Sequence, residues 1–161
     1  MCGIISYIGN KQALPILLEG LKTLEYRGYD SAGVSLICDK QLQTQKVSGK
    51  IAVLESKLQS QCFESHIGIA HTRWATHGSP VEANAHPHNS FDNKISVVHN
   101  GIIENYAALK AKLESQGIVF NSETDTEVIS HLIALFYKGD IKSAVFQAIS
   151  KPVRHAFFVN C

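Results

Sequence analysis

The sequence lacks any long hydrophobic run and any block of like charge. Its 161 residues carry 15 Lys and Arg side chains against 14 Asp and Glu, a net charge of +1. Nucleic acid and anionic membrane surfaces are therefore not expected partners. No apolar stretch approaches the ~20 residues of a bilayer span, and no secretory signal pattern precedes the first strand-like segment. We expect a soluble, cytoplasmic protein.

Cysteine pairs, internal repeats and low-complexity linkers are missing as well. The four cysteines form no C-x-x-C motif, which favours reduced thiols over disulfides. They are Cys2, Cys38, Cys62 and Cys161. A chain of this length with 45% apolar residues can bury one core, so the sequence indicates a single domain.

Apolar periodicity predicts short strands and amphipathic helices whose order is irregular. This irregular order argues against a doubly wound parallel sheet and favours mixed antiparallel sheets covered by helices, an α+β fold. The predicted strands are 4–8, 34–38, 42–47, 67–71 and 95–99. The predicted helices are 14–24 closed by Gly28, 51–58, 106–116, one that begins at a Thr124–Glu127 capping box, and 141–149.

Cys2 is the first candidate catalytic residue, because removal of Met1 would leave it with a thiol and an α-amine. In model peptides thiols titrate near ~8.5 and α-amines near ~7.7–8.0, so such an amine can accept the thiol proton close to neutral pH. One residue then supplies nucleophile and base, as in N-terminal threonine enzymes. The alternative is a cysteine that merely begins a buried strand.

Two polar segments follow a predicted strand. In 71–78, Arg73 offers a planar fork suited to a carboxylate, and Thr76 and His77 add single donors; the alternative is a solvated loop with a partly buried Trp74. In 84–89, two histidines one residue apart suggest a metal, but they lack the further ligands that a closed zinc site requires. We therefore interpret 84–89 as polar loop packing.

Three further residues complete a possible site. Asn100 and Gly101 can aim two N–H donors at an oxyanion, although Asn-Gly is also a common tight-turn dipeptide. Asp125 can pair with a ligand ammonium group, or it can simply complement a helix dipole. A nucleophile, a carboxylate clamp, an oxyanion pair and an ammonium acceptor together match free glutamine, whose side-chain amide would be attacked.

Six ordered motifs resemble those of class II glutamine amidotransferases, the family with an N-terminal cysteine nucleophile. They are 2–4, 26–33, 71–78, 84–88, 99–105 and 122–128. Within the family, 26–30, 73–77 and 122–126 resemble the glutaminase domains of the branch that makes glucosamine 6-phosphate from fructose 6-phosphate. Amidophosphoribosyltransferase is the alternative branch.

The resemblance implies a four-layer αββα sandwich of the N-terminal nucleophile hydrolase type, with two antiparallel sheets between helical layers. It implies Cys2 as the nucleophile and Asn100 with Gly101 as the oxyanion hole. It also implies that Asp125 binds the α-amine of glutamine.

The same resemblance implies that Arg73, Thr76 and His77 hold the α-carboxylate of glutamine, with Trp74 and Arg27 shaping or gating the site. It implies no metal and no organic cofactor. The expected partners are glutamine and, only through sugar-isomerase domains absent from this chain, fructose 6-phosphate. Full-length relatives are expected to be homo-oligomers.

The resemblance extends from residue 1 to about 149, so we expect residues 2–161 to form a partial glutaminase domain with C-terminal strands missing. His155 stands where the family usually has glycine, and the chain ends in what resembles mid-sheet. The alternatives are an inactive fragment or binding module, and a thiol hydrolase that acts on another amide.

Overall fold

The computed structural model describes residues 2–59, 61, 63–74 and 78–150. The chain forms two compact units, Met1–Pro87 and His88–Cys161. Both contain helices packed on antiparallel strands, so the predicted α+β class is confirmed. Among the described residues, no helix is long and apolar enough to cross a membrane.

Unit 1 is built on a four-stranded antiparallel sheet. The strands are β1 (Gly3–Ile8), β2 (Ser31–Cys38), β3 (Gln41–Ser48) and β4 (Ile67–Arg73), in the order β1-β4-β2-β3. The β2–β3 hairpin turns through Asp39 and Lys40, which both have positive φ, as primed two-residue hairpin turns require. The central position of β2 explains why its residues from Ser31 to Leu36 are all buried.

Two helices cover one face of this sheet: α1 (Ala13–Leu24) and α2 (Ile51–Leu58). They supply fully buried side chains at helical spacing, Leu17 and Leu21 from α1 and Leu54 from α2. A short 3-10 turn, Glu25–Arg27, follows α1 and ends at Gly28, whose φ of 70° few other residues adopt. The predicted closing position of this element is therefore confirmed.

Unit 2 combines a short two-stranded sheet with three helices. The strands are β5 (His88–Asn89) and β6 (Ser96–Val97), and the helices are α3 (Tyr106–Glu114), α4 (Glu127–Phe136) and α5 (Ile141–Ser150). Every α4 residue from Glu127 to Ile133 is buried, and the core around α4 includes Ile103, Leu113 and Ile129. The helix at the centre of unit 2 thus buries polar as well as apolar side chains.

Two local predictions are wrong in unit 2. The predicted strand over 95–99 pairs only at Ser96–Val97. The Thr124–Glu127 capping box does not form: the N-cap position of α4 is Thr126, and the Glu127 carboxylate accepts the N–H groups of Asn121 and Ser122 instead. The glutamate therefore satisfies backbone donors of the preceding segment rather than a donor of its own helix.

Candidate active site

The position of Cys2 is set by strand pairing within unit 1. β1 and β4 pair with Gly3 opposite Thr72, so Cys2 lies beside the end of β4, which is Arg73, with Trp74 next along the chain. The Trp74 N–H donates to Cys2 Sγ at 3.3 Å, and the thiol contacts the Trp74 carbonyl oxygen at 3.7 Å. Cys2 is half-buried, and both it and Cys38 are thiols. A main-chain donor thus fixes the sulfur while leaving it reachable.

Arg73 is nearly buried, with only 4% of its surface exposed. It is the last residue of β4 and pairs with Ser31 of β2. Its Nη1 donates to the Ser79 carbonyl oxygen at 3.5 Å, and Asn84 Nδ2 donates to the same oxygen at 2.9 Å. Ser79 is held in turn because Ser48 Oγ donates to the neighbouring carbonyl oxygen of Pro80 at 2.8 Å. The sheet thus fixes both Arg73 and the segment that its guanidinium contacts.

Trp74 is 52% exposed and lies against Gly28. A Cβ added at Gly28 would lie 3.0 Å from Trp74 Cζ3, so the missing side chain lets the indole approach the chain just after Arg27. The side chain of Arg27 and all of Thr76 and His77 lie outside the described residues.

In unit 2, Asn100 and Gly101 lie on a segment that is fastened on both sides. His99 Nδ1 is 3.3 Å from Thr126 Oγ1, and the Ile103 N–H donates to Asp125 Oδ2 at 2.7 Å. The residues predicted to form the oxyanion hole and the residue predicted to bind the amine are therefore neighbours. The other oxygen of Asp125, Oδ1, accepts from Thr126 Oγ1 at a long 3.5 Å.

Electrostatics in this part of unit 2 favour a neutral His99. Burial lowers the pKa of His99 below its ordinary value, and the nearby charge of Asp125 opposes that shift only in part. Asp125 itself is largely buried, at 8% exposed. A buried carboxylate with one oxygen fixed by a backbone donor has a defined orientation for a cationic group.

The segment 84–89 packs through polar contacts, as the sequence favours. Asn84 binds Ser79 as described, and the His86 ring lies 4.3 Å, centroid to centroid, from that of His71. His88 Nε2 is 2.9 Å from Thr124 Oγ1. Among residues 2–59, 61, 63–74 and 78–150, no group of three or more His, Cys, Asp or Glu side chains could hold a metal ion.

Sequence reasoning missed the polar cluster formed by residues on both sides of Asp125 in the sequence. Glu127 was assigned only to a helix cap, yet its carboxylate binds Asn121 and Ser122, and His131 lies one helical turn beyond it. A signal was present: a Glu and a His four residues apart stand within the otherwise apolar pattern of α4. Polar pairs at that spacing on a buried face usually face each other.

Comparison with known proteins agrees with this arrangement. A family model described as a glutamine amidotransferase domain matches residues 38–142. The chain is 59% identical over 151 residues to a glutamine–fructose-6-phosphate aminotransferase (isomerizing) of Clostridium tetani, covering 94% of this chain and 25% of that protein. The corresponding protein of Bacteroides thetaiotaomicron is 58% identical over 157 residues, covering 95% and 26%. The chain spans about a quarter of the length of these curated relatives.

A solved structure gives the same family by shape. The glutamine phosphoribosylpyrophosphate amidotransferase from B. subtilis, complexed with ADP and GMP, superposes with a TM-score of 0.77 at 28% identity. The match covers 93% of this chain and 32% of that one. Since the family model spans well over half of the sequence, the chain belongs to the glutamine amidotransferase domain family.

Proposed function

We propose that this chain hydrolyses glutamine to glutamate and ammonia with Cys2 as the nucleophile. The observation that carries the proposal is the hydrogen bond from the Trp74 N–H to Cys2 Sγ at 3.3 Å, beside Arg73. A thiol and a guanidinium at the same end of one sheet support this role, because attack on the amide of a free amino acid needs a nucleophile and a group that holds the α-carboxylate.

The contacts in unit 2 support the remaining roles. Asn100 and Gly101 stabilise the oxyanion, since their segment is fastened at His99 and Ile103 and so presents its donors in a fixed place. Asp125 binds the α-ammonium group of glutamine, and its buried, oriented carboxylate suits that role.

Thr76 and His77 join Arg73 on the α-carboxylate. Trp74 and Arg27 shape the entrance, and the exposed indole against Gly28 agrees with this.

The reaction proceeds in two halves once Met1 has been removed. The α-amine of Cys2 takes the thiol proton, sulfur attacks the side-chain amide carbon, and the oxyanion forms between Asn100 and Gly101. The amine returns the proton as the C–N bond breaks, which releases ammonia and leaves a glutamyl thioester. Water then cleaves the thioester to glutamate and the thiol. Loss of one oxyanion donor typically costs ~2.7–4 kcal/mol of barrier.

We further propose that the ammonia serves the amination of fructose 6-phosphate. The relatives at 58–59% identity are named for that acceptor, whereas the phosphoribosylpyrophosphate amidotransferase is only 28% identical. We expect transfer to the sugar to depend on the three quarters of the relatives that this chain does not match.

Ammonia release from glutamine, with an intact mass before and after a glutamine-analogue electrophile, tests the proposal. We expect loss of Met1, a single adduct on Cys2, and loss of ammonia release in Cys2→Ala. Cys38→Ala is the matched control, because it removes a thiol buried in the core of unit 1 and should keep both adduct and activity.

Three results would contradict the assignment. Ammonia release that survives Cys2→Ala removes the nucleophile. Retention of Met1 in active material removes the base. A preference for asparagine over glutamine would favour a thiol hydrolase of another amide.

A further inference from the structure

The carboxylate of Glu127 is almost fully buried yet has no place in the reaction described above. Glu127 is 2% exposed at the start of α4. Its Oε1 accepts the Asn121 N–H at 2.8 Å, and its Oε2 accepts the N–H and the hydroxyl of Ser122 at 2.8 and 2.6 Å. Burial of a carboxylate is costly unless such donors compensate it. These three donors all come from the segment that leads into Asp125.

The contacts continue from Ser122 towards Asp125. Ser122 Oγ accepts the Thr124 N–H at 3.3 Å and lies 2.9 Å from Thr124 Oγ1, which in turn lies 2.9 Å from His88 Nε2. Thr124 is bonded covalently to Asp125, whose Oδ2 accepts the Ile103 N–H. Glu127 thus holds the backbone three and four positions before Asp125, and this backbone leads directly to the Asp125 carboxylate.

His131 faces Glu127 from the next turn of α4. Its Nδ1 accepts the Phe91 N–H at 3.0 Å, so in the neutral ring Nε2 carries the proton and lies 3.5 Å from Glu127 Oε1. Burial alone would raise the pKa of Glu127, but the nearby His131 ring and the hydrogen bonds from Asn121 and Ser122 outweigh it and lower the pKa to about 2. The carboxylate therefore keeps its charge and all of its acceptor sites at neutral pH.

We propose that Glu127 is a positioning residue that orients Asp125 towards the α-ammonium group of glutamine through Ser122 and Thr124. The proposal rests on the glutaminase function proposed above. Its consequence is specific: Glu127 governs how strongly a substrate with an α-amine is preferred over the same substrate without one. A carboxylate that only stabilised the fold would affect both substrates alike.

The test compares glutamine with 4-carbamoylbutanoate, which is glutamine without its α-amine, in the intact protein and in Glu127→Gln. We expect the ratio of the two kcat/KM values to fall by about tenfold, the scale of one hydrogen bond to a charged group, through a higher KM for glutamine at little-changed kcat. Glu123→Gln is the matched control, because it removes the same charge from an exposed side chain of the same segment and should keep the ratio.

Binding of the product gives a second measurement that needs no catalysis. Calorimetric titration with glutamate and with glutarate should show the same loss of preference for the aminated ligand in Glu127→Gln. Should Glu127→Gln fail to fold, Ser122→Ala removes only the hydroxyl that connects Glu127 to Thr124. This variant should also lower the preference for glutamine in catalysis and for glutamate in binding.

The outcomes separate this inference from the proposed function. Suppose that the parent protein prefers glutamine and glutamate over the ligands without an α-amine. If Glu127→Gln keeps those preferences, or if its kcat/KM values for the two substrates fall by the same factor, the role of Glu127 is refuted while the glutaminase assignment stands. If the parent protein shows no preference for the aminated ligands, the role of Asp125 fails, and the role of Glu127 fails with it.

Discussion

Gly33→Ala tests how tightly the segment 79–86 is packed over the sheet of unit 1. A Cβ at Gly33 would lie 2.3 Å from the carbonyl oxygen of His86 and 3.1 Å from that of Gln45. Ordinary contact begins near 3.4 Å, so the His86 backbone would have to move by about 1 Å. Forced shifts of this kind in a packed interior typically cost about 1–3 kcal/mol.

Urea denaturation measures this cost. With a slope of about 2 kcal/mol/M, a loss of about 2 kcal/mol lowers the unfolding midpoint by about 1 M. Gly20→Ala is the control, because the three atoms nearest to its added Cβ are side-chain atoms of Ile5, from 2.9 Å, rather than backbone. Alanine in a helix also gains up to about 1 kcal/mol over glycine.

The sign of the change in the Gly33→Ala midpoint shows whether the segment 79–86 is packed tightly against β2. Without a clash, alanine in an extended strand would stabilise the protein by about 0.4–1 kcal/mol, since it restricts the unfolded chain. An unchanged or raised midpoint would therefore show that the segment 79–86 is not held against β2. The geometry of Arg73 would then lose its support, because Arg73 contacts this segment through Ser79.

Two further predictions concern hydrogen bonding and pH. Tyr29→Phe should lower the free energy of unfolding in urea by about 1–3 kcal/mol, because the Tyr29 hydroxyl accepts the N–H of the buried Ile51 at 2.7 Å and donates to Glu25; no change would mean that water replaces the hydroxyl. The free energy of unfolding should also fall as the pH drops below about 6.5. The pKa of His99 is lowered in the folded protein, so in this pH range His99 binds a proton more readily in the unfolded chain, which favours unfolding. Denaturation at about pH 7.5 and about pH 5.5 should show a smaller difference in His99→Gln than in the parent, and an equal difference would exclude His99 as a source.

Local pattern predicts the regular elements well where each segment buries one clear face. Three features agree with expectation: the hairpin of β2 and β3, the helix α2 at Ile51–Leu58, and the 3-10 turn that follows α1 and ends at Gly28. In each case the signal is contained in neighbouring residues: alternation, helical spacing, or a glycine with positive φ. In these segments the local preference of the sequence and the tertiary packing therefore favour the same structure.

The failures occur where a polar side chain can choose between local and distant partners. Thr124 and Glu127 have the spacing of a capping box, but Thr124 binds Ser122 and His88 and Glu127 binds the chain before it. Sequence spacing shows that a cap is possible. The competing partners become available only when the tertiary fold brings His88 close to Thr124 and residues 121–122 close to Glu127. The pattern alone could not rank these partners.

In the candidate site, too, some features could be predicted from the sequence and others could not. Motif and resemblance predict Cys2 and Asp125 as candidates, because a thiol and a carboxylate are the functional groups that the proposed reaction requires. The donors that fix them are main-chain N–H groups of Trp74 and Ile103, 72 and 22 residues away along the chain. A backbone N–H is present at almost every residue and leaves no signature in the sequence. In this protein the sequence thus predicts the candidate groups, and only the pairing of β1 with β4 and the return of the chain from residue 103 to residue 125 explain how their side chains are fixed.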